Sequence, residues 1–164
     1  MDYTCVTIAN HSYYLAASQT GLSFVGSSDG IFQELINFYP RTNFNATTNN
    51  PILLAAQEQL ANYLAGDLTT FSLPLDFSIG TEFQQNVWQQ LTTIPCGQTI
   101  SYHQLAQSLN QGSATRAVAT AVAKNPLLIV VPCHRVICAD GSLGEFRAGK
   151  AFKKQLLTLE KTTL

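Results

Sequence analysis

The hydrophobic pattern changes its period near residue 80, and that change limits the fold more than any other feature of the chain. Before residue 30 the apolar residues fall in three short β-branched and aromatic runs, 3–8, 13–18 and 22–26. Asn10, His11 and Ser12 separate the first two runs, and Thr20 and Gly21 the last two. Such runs predict a meander of antiparallel strands. Ile31, Leu35 and Phe38 then suggest a short helix ending before Pro40, and the polar stretch 41–50 reads as a loop. Asn50 precedes Pro51, the arrangement of a cap followed by proline in the first helical turn. Leu53, Leu54, Ala56, Leu60 and Leu64 continue at helical spacing until Gly66 stops them.

Residues 71–80, punctuated by Pro74 and Gly80, read as a linker. Beyond it the texture is helical. Thr81 and Gln84 form a capping box, with Phe83, Val87, Trp88 and Leu91 on one face and a stop expected at Pro95 and Gly97. Ser101 and Gln104 form a second box, opening a helix with Leu105, Ala106 and Leu109 inside. After a turn at 110–113, a third helix is expected from about Ala114 to Lys124. This spacing is that of a helix-turn-helix, and an ordinary helical hairpin shares it. The later helix is small on nearly every side, with Ala114, Ala117, Ala119, Ala121 and Ala123, and Arg116 is its one large polar residue before Lys124. A buried strand or extended segment is expected at 127–131, where the apolar run is continuous. A last helix is expected to turn Phe152, Leu156 and Leu159 inward and to end near Glu160.

Of the 164 residues, 46% are hydrophobic and 12% charged, enough apolar material for a packed core and too little polarity for a disordered chain. No apolar run reaches the ~18 residues of a membrane span, and the N-terminus lacks the pattern of a signal peptide, so a cytoplasmic protein with no membrane partner is expected. The formal net charge of −1 hides a division. Residues 1–82 carry one basic residue, Arg41, and seven acids; residues 83–164 carry eight basic residues and three acids. Only the later half has the balance to meet a polyanion. Cysteines stand at 5, 96, 133 and 138, none in a CxxC pair, so neither a disulfide framework nor a zinc site is expected, although Cys5 and His11 are near enough in sequence to meet.

The chemistry concentrates at Pro132, Cys133 and His134. Proline fixes the backbone ahead of a thiol. A thiol becomes a nucleophile when a base removes its proton, and a histidine needs a partner to set its tautomer, for which Glu160 is the candidate. Adjacent side chains usually diverge, so contact between Cys133 and His134 is expected through water.

Pro132-Cys133-His134-Arg135-Val136 matches the active-site signature of the O6-alkylguanine-DNA alkyltransferases, or methylated-DNA–protein-cysteine methyltransferases, and the chain resembles that family over roughly residues 50–164. Phe83 to Trp88, Ile94-Pro95, Gly97, Ser101-Tyr102, Arg116-Ala117-Val118, Asn125-Pro126 and the closing 156–160 segment fall in the family's order. The resemblance implies an α+β fold: a small N-terminal antiparallel β-sheet domain, ribonuclease H-like, over 1–77, and a helical DNA-binding and alkyl-transfer domain with a helix-turn-helix over 78–164. It implies single-turnover transfer of the alkyl group from O6-alkylguanine in double-stranded DNA, with O4-alkylthymine a second candidate substrate, by a monomer with no cofactor and no metal. Cys133 is then the acceptor, His134 the base, Glu160 its orienting partner, Tyr102 a proton donor and Asn125 a brace. Arg116 fills the stack behind a flipped nucleotide, with Ala114, Thr115, Ala117 and His103 at the DNA. Val136, Leu143, Gly144 and Phe146 shape the pocket.

The chain departs from the family pattern at Glu145, Phe146 and Arg147, where small residues flank a tyrosine, and more mildly at Asn110, Thr120 and Ala148. Three other readings of the same residues stand beside this one: a lesion binder without transfer, a Cys-His-Glu hydrolase or acyltransferase, and a damage-responsive regulator.

Overall fold

The computed structural model describes residues 1–163. It divides into two compact units, Met1–Ile79 with Pro126–Val130, and Gly80–Asn125 with Val131 onward.

The first unit is built on the expected meander. Strands β1 (Asp2–Ile8), β2 (His11–Ala17) and β3 (Leu22–Val25) are antiparallel neighbours. Ala9 and Asn10 join β1 to β2 with φ of 50° and 66°, the two positive values that match a tight turn to the strand twist. A two-residue strand, β4 (Asn45–Ala46), adds in parallel beside β1, inside the stretch expected as loop. Helix α1 (Phe32–Phe38) helps close an aromatic cluster in which Phe24, Leu35 and Tyr39 are buried with Tyr3, Tyr14, Phe32, Phe38 and Phe44 packed against them. Helix α2 (Pro51–Ala65) begins and ends as its sequence predicts. The Asn50 side chain accepts from the Ile52 and Leu53 N–H groups, and Gly66 closes the helix at φ 86°. Cys5 and His11 do not meet: Cys5 lies opposite Tyr14, and His11 pairs with Asp29 at 2.6 Å.

Residues 127–131 correct the expectation of a strand. Leu127 makes a single bridge to Val25, and then the chain turns sharply. The Val130 N–H donates to the Leu128 carbonyl at 2.8 Å, with Ile129 between them at φ 71°. That is a γ-turn, a conformation costly for a β-branched residue. A continuous apolar run reports burial, and these residues are buried, but it does not report extension.

The second unit is helical. Helix α3 (Glu82–Leu91) starts with the capping box of Thr81 and Gln84 and ends at Leu91, four residues before the expected stop at Pro95. The box of Ser101 and Gln104 opens α4 (Tyr102–Ser108). Asn110 takes the left-handed conformation at φ 56°, a 3-10 turn spans Gly112–Ala114, and α5 (Thr115–Ala123) follows. Helix α5 packs on both α3 and α4. Two short strands, β5 (Ile100–Ser101) and β6 (Val136–Ile137), pair in parallel. The last helix, α6 (Lys150–Thr163), turns Lys153, Leu156 and Glu160 inward, while Phe152 and Leu159 are only half-buried. The inner face is therefore rotated from the one hydrophobicity predicts, because two ionic side chains take places that apolar ones were expected to fill.

Trp88 ties α3 to α5: its ring is buried and its Nε1 donates to the Ala121 carbonyl at 2.8 Å. The ring also fixes what residue 80 can be. A Cβ on Gly80 would lie 2.4 Å and 2.6 Å from two Trp88 ring carbons. The packed ring cannot swing away without losing its contacts, so Gly80→Ala is expected to cost about 1–3 kcal/mol. Urea unfolding should show this as a lower midpoint with an unchanged slope.

Candidate active site

Cys133 opens a 3-10 turn, Cys133–Arg135, that leads into β6. The chain enters it through a second tight bend. The Cys133 N–H donates to the Val131 carbonyl at 2.8 Å across Pro132, whose φ of −80° and ψ of 60° make an inverse γ-turn. Turns, and not the expected strand end, deliver the thiol. The thiol is buried, and Asn125, just beyond α5, holds it. The Asn125 Nδ2 donates to Cys133 Sγ at 3.1 Å and to the Val131 carbonyl at 3.0 Å. Burial pushes the Cys133 pKa up, against the Asn125 hydrogen bond and the charges of Arg147 and Lys153. The resting group is a thiol.

His134 and Glu160 are both buried and meet as predicted, Nε2 to Oε1 at 2.6 Å. A carboxylate only accepts, so Nε2 carries the hydrogen and Nδ1 is the basic nitrogen. Burial lowers the His134 pKa, while Glu160 pulls it up, so the ring is neutral at physiological pH. Glu160 has more partners than sequence reasoning gave it. Arg135 donates to it through Nε at 3.1 Å and Nη2 at 2.9 Å, and the Gly97 N–H donates at 3.1 Å. Arg135 also donates from Nη1 to the Ile94 carbonyl.

Tyr102 is the first residue of α4, placed beside the Cys133 turn by the pairing of Ile100 with Val136 and of Ser101 with Ile137. Burial, with the negative charges available to Cys138, Cys133 and Glu145, pushes its phenol up to about 12. It remains a proton donor. Tyr102, Leu143 and Gly144 line a cleft of ≈ 730 Å³ together with Ala119, Ala123 and Cys138. Gly144 has φ 69°, and a Cβ there would crowd Cys138 Sγ and the Tyr102 hydroxyl at 3.2–3.3 Å. Glu145 and Lys150 pair at 2.8 Å on the cleft's exposed margin. Val136 is fully buried, and the Phe146 ring lies 6.0 Å from Lys153 Nζ.

Lys153 is the functional candidate that sequence reasoning missed. It is fully buried, donates to the Val136 and Leu143 carbonyls, and stands 6.0 Å from the Tyr102 ring. A helical lysine reads as solvated, and the one available signal was its spacing of three and seven from Leu156 and Glu160.

The residues named for DNA lie apart from the thiol's own hydrogen bonds. Arg116 and Ala117 are exposed in the first turn of α5, Ala114 and Thr115 are half-exposed, and exposed His103 of α4 approaches Thr115 Oγ1 at 3.4 Å. Among the described residues no group of three or more His, Cys, Asp and Glu side chains gathers as a metal site, and no helix is long and apolar enough to cross a membrane.

Residues 82–162 match the family model of the 6-O-methylguanine DNA methyltransferase DNA-binding domain. The chain is 40% identical over 153 residues to an inducible methylated-DNA–protein-cysteine methyltransferase of Bacillus subtilis, covering 92% of this chain and 84% of that one. It is 49% identical over 112 residues to the methylated-DNA–protein-cysteine methyltransferase of Mycobacterium leprae, covering 68% and 67%. A crystal structure of Mycobacterium tuberculosis OGT in complex with DNA superposes with a TM-score of 0.86 at 36% identity, covering 99% of this chain and 94% of that one. With its cysteine, histidine and glutamate arranged as described and these relatives alongside, the chain belongs to the methylated-DNA–protein-cysteine methyltransferase family.

Proposed function

We propose that the chain repairs O6-alkylguanine in double-stranded DNA by moving the alkyl group to Cys133, once per molecule. The observation that carries this reading is the buried Cys133 thiol, held by Asn125 and preceding a His134 that Glu160 holds in one tautomer. We assign DNA binding and transfer to residues 78–164, and expect a monomer acting in the cytoplasm, where free thiols persist.

The alkylated base must leave the duplex to be reached, at a cost of a few kcal/mol. Arg116, exposed at the start of α5, fills the stack it leaves. Ala114, Thr115 and Ala117 let the helix approach closely in a minor groove about 6 Å wide, with His103 beside Thr115 at the DNA. The base then enters the cleft beside Tyr102, with Leu143, Gly144, Val136 and Phe146 forming the pocket. His134 takes the thiol proton at Nδ1 through a bridging water, and Glu160 stabilises the resulting imidazolium. The sulfur attacks the alkyl carbon, the S–C bond forms as the C–O6 bond breaks, and the electron pair passes into the guanine. Tyr102 donates the proton that the leaving guanine needs. The net change converts thiol and alkylguanine to thioether and guanine. Thioethers have no hydrolytic route back, so the protein is consumed.

Mixing the protein with excess duplex carrying one O6-methylguanine should restore guanine in an amount that plateaus at one per chain. Cys133→Ala should restore none while still binding the duplex. Restoration beyond one per chain would contradict a consumed acceptor, and transfer by the alanine variant would move the acceptor elsewhere.

A second outcome follows from burial. Iodoacetamide should modify exposed Cys5 at least about tenfold faster than Cys133 in the native protein. Because the Cys133 pKa is raised, its own modification rate should still be climbing above about pH 8.5, the ordinary thiol value. Peptide mapping of timed samples reads both.

A further inference from the structure

Arg147 lies in the loop between β6 and α6, in the turn that Gly149 closes by donating its N–H to the Phe146 carbonyl at 2.9 Å. An arginine in such a loop usually reaches into solvent. Arg147 is half-buried and reaches back, donating from Nη2 to the main-chain carbonyl of Asn125 at 3.1 Å. That carbonyl lies just past the end of α5, at the negative end of the helix dipole, where a cation is favoured. Asn125 in turn holds the nucleophile through Nδ2. The three residues form a chain, with a guanidinium at one end and the reacting sulfur at the other.

The charged and titratable groups around that sulfur come from four places. Arg147 faces it from the loop, Lys153 from α6 and Tyr102 from α4. His134 and Arg135 belong to its own turn, and Glu160 of α6 lies between those two. Lys153 is committed to the Val136 and Leu143 carbonyls. Arg147 and Lys153 are the two cations that favour the thiolate.

We propose that Arg147 is a positioning residue for alkyl transfer: it fixes Asn125, and through it the Cys133 sulfur, and its guanidinium steadies the negative charge on that sulfur. The inference rests on Cys133 being the alkyl acceptor. Between loss of the thiol proton to His134 and formation of the S–C bond, the sulfur is an anion in a buried place, where a nearby cation has more effect than in open solvent. Arginine suits the task because its fork of donors serves a carbonyl while its delocalised charge faces a second group.

The test is single-turnover methyl transfer from saturating duplex carrying one O6-methylguanine, followed from about pH 6 to about pH 9, for the native protein, Arg147→Gln and Arg147→Lys. Saturation removes the loss of DNA affinity that any missing cation brings. Arg147→Gln should be about tenfold slower near neutral pH, with the rising limb of its profile moved to higher pH by about one unit. Arg147→Lys keeps a cation and should hold the native limb with a loss of less than about threefold. Native rates and an unmoved limb in Arg147→Gln would overturn the proposal. So would equal slowing of both variants at every pH, which would make Arg147 a strut without an electrostatic part. If the native protein moves no methyl group to Cys133, the functional reading itself fails, and this inference fails with it.

Discussion

The buried carboxylate of Glu160 is the interaction on which the geometry of the second unit's site depends. An ionised carboxylate taken out of water costs several kcal/mol unless its lone pairs are met. Here His134, Arg135 and the Gly97 amide meet them. Arg135 cancels the charge, and the neutral His134 shares the hydrogen-bonding capacity. One side chain therefore joins α6, the turn after Cys133 and the bend after Pro95. It also decides the histidine tautomer, and so which ring nitrogen is left to accept a hydrogen bond. Removing it would leave a guanidinium buried without its counter-charge, so the same residue that orients His134 keeps that part of the fold closed.

Burial explains the temper of the thiol. A surface cysteine with a lowered pKa reacts with any electrophile that passes. Cys133 is buried, protonated at rest and held by Asn125. On the proposed mechanism its nucleophile forms only as a proton moves to His134, and Tyr102, Leu143 and Gly144 shape a cleft in the same unit. For a protein spent after one reaction, restraint of this kind has value, since a thiol lost to a stray electrophile disables the molecule.

Much of the fold was legible because it is set by local chemistry. The three capped helices, α2, α3 and α4, announce themselves by a side chain that satisfies its own helix's first amides. Left-handed turns at Asn110 and Gly66 follow from residues that tolerate positive φ. What was not legible depends on distant partners. The paired β5 and β6 are two residues each and carry no period. The bend at Ile129 sits inside an apolar run that reads as a strand, and only contact with Val25 shows why the chain stops there. Lys153, Arg135 and Arg147 look like surface cations in sequence. Their burial becomes visible only once Glu160, the Val136 and Leu143 carbonyls and the Asn125 carbonyl are in place around them. Cys133, His134 and Tyr102 were singled out by a motif, and Glu160 by the family's closing segment, before any geometry joined them.

The most direct test of this account is the rate of methyl transfer to Cys133 in Glu160→Gln, measured at a temperature where circular dichroism shows the variant folded. Glutamine keeps the shape and hydrogen-bonding reach of the side chain but removes the charge that stabilises imidazolium. The expected result is a loss of about a hundredfold or more, within the range general-base catalysis supplies. Transfer at the native rate by the folded variant would show that the buried carboxylate shapes the site without driving its chemistry, and would contradict the account at its centre.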